Sequence, residues 1–135
     1  MPELTDTSRR FTMSVRHHED VVVAKASGDL DYHHAGLFQE RIAEARDALA
    51  PRGVVLDLGA VTFCDSMGIG VLVLLLNQGR EQGIRLVLTR LPAHLERVLT
   101  LTGLRVAFRV EPSVDDAVRA VSGGRTSDGH KGDGP

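Results

Sequence analysis

Gly53–Gly83 reads GVVLDLGAVTFCDSMGIGVLVLLLNQGREQG. Val54, Val55 and Leu56 run apolar up to Asp57, as expected for a central strand covered on both faces. A short loop follows, and then the apolar stretch Ile69–Leu76, which continues polar through Asn77–Gln82 to Gly83. That continuation predicts a mostly buried helix of about four turns, with Gly83 as its C-terminal stop. A buried strand feeding a buried helix points to an α/β layer fold.

Upstream, Phe11, Met13 and Val15 alternate with polar residues and predict a half-buried strand. Val21–Ala24, β-branched and ending at Ser27-Gly28, predicts a second. Ala35, Phe38, Ile42, Ala45 and Leu49 fall on one helical face before Pro51, with Asp31 as the expected N-cap. Downstream, Ile84–Leu88 predicts a strand and Pro92–Gly103 a helix with Leu95, Val98 and Leu99 on one face. Val106–Val110 predicts the last strand. Ser113-x-x-Asp116 resembles a capping box for a final helix carrying Val114, Val118 and Val121.

The order β-β-α-β-α-β-α-β-α predicts an α/β fold: a mixed β-sheet of about five strands packed with about four helices. The expected folded unit is 11–121. Residues 1–10 read as a flexible N-terminal segment. Residues 122–135 (SGGRTSDGHKGDGP) lack Leu, Ile, Val and Phe and read as a disordered tail, too polar to offset the entropy of ordering.

Composition narrows the function. The chain has 135 residues, and 16 Lys+Arg against 18 Asp+Glu leave a net charge of −2, which argues against binding nucleic acid through phosphate neutralisation. A single cysteine, Cys64, rules out an intrachain disulfide and a multi-cysteine zinc site. No apolar signal region opens the chain, and Ile69–Leu76 is too short for a membrane span. A cytoplasmic location without membrane association is the expectation.

The segment Asp57–Gly70 carries the candidate chemistry. Ser66 falls at a helix opening, where its hydroxyl can cap an orphan backbone N–H and Asp65 can complement the helix dipole. A hydrolase elbow would need glycine where Cys64 stands, with His94 and Asp116 the nominal partners. A dinucleotide loop would need glycine at Val73, and the only lysines, Lys25 and Lys131, supply no Walker A motif. Asp57 as a response-regulator phosphoacceptor lacks the acidic pair and the late lysine of that chemistry. The pairs His17-His18 and His33-His34 have no metal-ligand spacing, and no metal is expected. Cys64 reads as a packed thiol.

Val55-Leu56-Asp57-Leu58 followed by Phe63-Cys64-Asp65-Ser66-Met67-Gly68-Ile69-Gly70 resembles the signature of STAS domains of the bacterial anti-sigma-factor antagonist type. Gly28-Asp29-Leu30-Asp31 resembles that family's loop before the first helix, and Pro92 with Thr102-Gly103-Leu104 its late helix. The likeness covers roughly Phe11–Val121.

The resemblance implies a non-enzymatic switch. Unphosphorylated, the chain would bind an anti-sigma-factor serine kinase and free a sigma factor; phosphorylation of Ser66 would turn it off, and a phosphoserine phosphatase would restore it. Gly28, Asp29, Leu30, Asp31, Asp65, Met67 and Gly68 would form the partner surface. Met67 departs from the family's usual second Ser/Thr. No cofactor is implied, ATP belonging to the kinase, and a monomer or weak dimer is expected. The alternative is a non-catalytic STAS adaptor subunit of a transport or other regulatory complex.

Overall fold

Alternation along the strands decides which layer each side chain enters. The computed structural model describes residues 10–131, with side chains through Ser122. Along the chain run β1 (Phe11–His18), β2 (Val21–Leu30), α1 (Ala35–Leu49), β3 (Gly53–Cys64), α2 (Ser66–Gln82) and β4 (Arg85–Thr89). They are followed by α3 (Ala93–Leu101), a 3-10 turn (Arg105–Ala107), β5 (Arg109–Glu111) and α4 (Val114–Lys131).

The strands form one sheet in the order β1-β2-β3-β4-β5. β1 lies antiparallel to β2, and the remaining pairs are parallel. The expected α/β architecture is therefore the observed one.

Successive strand residues point to opposite faces. Val22, Val54, Leu56, Leu86 and Leu88 join Phe38 and Ile42 of α1, Leu72 and Leu75 of α2, and Leu95 and Leu99 of α3 in the main core. Val21, Val23, Val55 and Val87 face the other way and are covered by Ala117 and Val121 of α4. Three helices pack one face and one helix the other.

Three boundaries depart from the sequence expectation. β3 does not stop near Asp57 but runs to Cys64, because β2 extends beside it and pairs Leu30 with Cys64 across two register shifts. The expected strand Val106–Val110 opens as a 3-10 turn, with Val106 91% exposed, and joins the sheet only from Arg109, the edge strand running Arg109–Glu111. α4 continues past Val121 to Lys131, into the stretch read as a tail. Residues 1–9 and 132–135 lie outside the described residues. Among the described residues, no helix is long and apolar enough to cross a membrane.

Candidate functional site

A single residue, Asp65, joins β3 to α2. It has extended backbone geometry and is the N-cap of α2. Its Oδ1 accepts from the backbone N–H of Met67 at 2.9 Å and of Gly68 at 3.0 Å. The sequence reading gave that cap to Ser66. The structure moves it one residue back, because the Asp65 carboxylate has a second oxygen to spend on a distant donor. Oδ2 accepts from the N–H of Tyr32 at 2.9 Å. One carboxylate thus pins the start of α2 to the loop after β2.

Ser66 is left as the first helical residue. It is exposed, and its hydroxyl has no hydrogen-bond partner among the described residues. A phosphate there would meet a helix N-terminus, which favours anions through its free N–H groups and its dipole. It would also sit beside the Asp65 carboxylate.

The loop after β2 is braced from several sides. Asp29 donates its N–H to Arg10 O at 2.7 Å, and Asp65 N–H reaches Leu30 O at 3.4 Å. Gly28 adopts φ 95° with its α-carbon against Arg10 O, a contact that leaves no room for a side chain. Asp31 is not the cap of α1. That helix begins at Ala35 after His34, and Asp31 Oδ1 instead accepts from His33 N–H at 3.0 Å and pairs with His34 Nδ1 at 2.8 Å. The carboxylate closes a turn before the helix, four residues earlier than Ala35.

The predicted partner residues therefore fall into one neighbourhood but not onto one surface. Met67 is 49% exposed, and Gly28, Asp29 and Asp65 are partly exposed. Leu30, Asp31 and Gly68 are buried and set the spacing between the two loops. Two side chains that the sequence did not single out stand out beside them: Tyr32, 68% exposed, and Phe63, 50% exposed. Their signal was present as aromatic residues flanking Asp31 and Cys64, but exposure is a tertiary property.

Partial burial pushes the Asp65 carboxyl up, but the backbone N–H groups of Gly68, Tyr32 and Met67 outweigh it and hold the group below its ordinary 3.8. A carboxylate depressed in the folded state contributes stability above its unfolded value and loses it as pH falls through the folded value. In an NMR titration, the Tyr32, Met67 and Gly68 amide resonances should move together with a midpoint below 3.8. A midpoint at or above that value would mean the three N–H groups do not engage Asp65. Burial, and then the neighbouring Asp65 charge, push the Cys64 thiol up to about 12, so it is a protonated packing group at neutral pH.

Other candidate chemistries are not assembled. His94 Nε2 lies 3.2 Å from Val61 O, and Asp116 pairs with Arg119 on α4, across the sheet from α2. Asp57 is buried within β3, where Oδ1 accepts from Gly59 N–H and Arg90 Nε, each at 3.1 Å.

Comparison with known proteins agrees with this geometry. The STAS domain model matches residues 12–117. The chain is 34% identical over 120 residues to the anti-sigma-F factor antagonist RsfB of Mycobacterium tuberculosis, covering 85% of this chain and 93% of the relative. It is 26% identical over 110 residues to the anti-sigma F factor antagonist of Paenibacillus polymyxa, covering 82% and 92%. The crystal structure of an anti-sigma factor antagonist from Mycobacterium paratuberculosis superposes with a TM-score of 0.71 at 32% identity, covering 83% of this chain and 94% of that one.

Proposed function

The chain belongs to the STAS domain family, and on that premise we propose that it is an anti-sigma-factor antagonist switched by phosphorylation of Ser66. In the unmodified form it binds an anti-sigma-factor serine kinase and displaces a sigma factor. The kinase transfers the γ-phosphoryl of ATP to the Ser66 hydroxyl, the complex separates, and a phosphoserine phosphatase resets the chain.

One observation carries the reading. The Ser66 hydroxyl is exposed and unengaged among the described residues, because Asp65 has taken over the capping role that would otherwise occupy it. Exposed Tyr32, Phe63 and Met67 lie in the same neighbourhood and offer apolar area to a partner. The names of the relatives supply an anti-sigma factor as the class of partner. This chain contributes a nucleophilic hydroxyl, and the positioning of ATP and Mg²⁺ belongs to the kinase.

The test is intact-mass measurement after incubation with candidate serine kinases and MgATP. A single added phosphate, mapped to Ser66 by fragmentation and absent from Ser66→Ala, is the expected result. A kinase that binds the chain yet leaves Ser66 unmodified would remove the switch, the loop then being no substrate.

A further inference from the structure

The loop after β2 ends on a histidine that does not cap the helix it precedes. His34 stands at the N-cap position of α1, yet its side chain makes no capping hydrogen bond. The ring turns back toward the loop instead. Its Nδ1 lies 3.0 Å from Asp29 O and 2.8 Å from Asp31 Oδ1. A carbonyl and a carboxylate only accept, so Nδ1 carries a proton in the neutral and the charged ring alike. The imidazole also stacks on Phe11 of β1, with centroids 5.3 Å apart and planes 15° from parallel.

This contact holds the stretch that runs from Asp29 to the helix. Asp29 is fixed through both backbone groups, its N–H on Arg10 O at 2.7 Å and its carbonyl on the His34 ring. The Asp31 oxygen that faces the imidazole also accepts from His33 N–H at 3.0 Å. Tyr32 falls between the two carboxylates. Its own N–H goes to Asp65 Oδ2 at 2.9 Å, and its ring meets the His33 ring edge-on at 5.2 Å. The Tyr32 side chain is nevertheless 68% exposed. An exposed aromatic ring on a backbone fixed in advance suits a binding contact, because little freedom is left to lose on association.

We propose that His34 is a positioning residue of the partner surface: its Nδ1–H fixes Asp29 and Asp31 and so presents Tyr32 as an affinity-determining contact for the anti-sigma-factor kinase. The inference rests on the kinase as partner and requires nothing of Ser66 phosphorylation.

The test separates the donor from the stack, and then asks whether the donor acts through Tyr32. His34→Asn keeps an amide N–H near the place of Nδ1 but removes the ring, whereas His34→Phe keeps a ring for Phe11 but removes the donor. In kinase titrations, His34→Asn should stay within about three-fold of the wild-type Kd and His34→Phe should be at least about ten-fold weaker. Tyr32→Ala should lose at least as much, and adding His34→Phe to it should weaken binding by no more than about two-fold further. In the free ¹⁵N-labelled chain, the Tyr32 and His33 amides should move in His34→Phe and stay near their wild-type positions in His34→Asn. An unchanged Kd in His34→Phe overturns the proposal. So does an equal loss in His34→Asn, which would make packing on Phe11 the cause, and so do losses that multiply in the double variant, which would place the effect of His34 elsewhere than Tyr32. These outcomes leave the kinase as partner; a wild-type chain that binds no anti-sigma-factor kinase would bring down that reading and this proposal together.

Discussion

Ser66→Asp should bind the anti-sigma-factor kinase at least about 100-fold more weakly than Ser66→Ala, while both variants unfold within about 0.5 kcal/mol of the wild type. The two halves of this expectation have different causes. In the isolated chain, residue 66 is exposed and its hydroxyl supports nothing among the described residues, so losing it removes no contact. An aspartate in the first helical turn is favourable to the dipole, which offsets repulsion from Asp65. At an interface the balance reverses. A carboxylate at 66 places a second negative group beside Asp65, in a neighbourhood where Tyr32, Phe63 and Met67 are exposed, and mismatched charge at an interface costs several kcal/mol. Phosphoserine, carrying about −1.5 to −2 charges, should be more disruptive than aspartate. The measurements are calorimetric affinity for the kinase and urea unfolding of each variant. Equal affinities would refute the switch. A large stability loss in Ser66→Ala would show instead that the hydroxyl holds the fold together.

The same residues show how far a sequence reading reaches. Face assignments were legible because strand alternation is strict: Val22, Val54 and Leu56 enter one core and Val23 and Val55 the other, as their spacing implies. The end of β3 was not. Gly59 and Ala60 have little strand preference of their own, and the strand continues through them by pairing with β2, which lies more than thirty positions earlier in the chain. The cap of α2 was hidden for a related reason. Asp65 and Ser66 are both capable caps, and the choice between them rests on the Tyr32 N–H, a donor from another loop. That single substitution of roles changes the functional meaning of the site, since a capping hydroxyl would be engaged and this one is free among the described residues. The edge strand failed differently. Val106 looked like strand because it is β-branched, but it stands on a turn with almost its whole surface exposed.

Two glycines in the first turns of α2 should respond to alanine with opposite signs. Gly70→Ala should stabilise the protein by about 0.5–1 kcal/mol, because an interior helix glycine forfeits that much to backbone entropy and an added Cβ meets nothing within 4 Å. Gly68→Ala should destabilise it by about 3 kcal/mol. Its Cβ would stand 2.3 Å from Leu30 O and 2.7 Å from Cys64 Sγ. Leu30 is the last residue of β2 and paired with Cys64 of β3, so its carbonyl cannot yield without opening the sheet. The start of α2 must lift away instead, and Asp65 would then lose its reach to the Tyr32 N–H. Kinase affinity should fall with stability in Gly68→Ala, because the spacing between the two loops is what the buried glycine sets. In Gly70→Ala, stability and affinity separate: an exposed methyl that strengthens the helix but weakens binding would place Gly70 under the partner, whereas unchanged affinity would confine the contact to the helix start and the loop after β2. Urea unfolding read beside kinase titration distinguishes these outcomes. A Gly68→Ala protein as stable as the wild type would mean that α2 does not press on Leu30, and the placement of Ser66 would lose its structural cause.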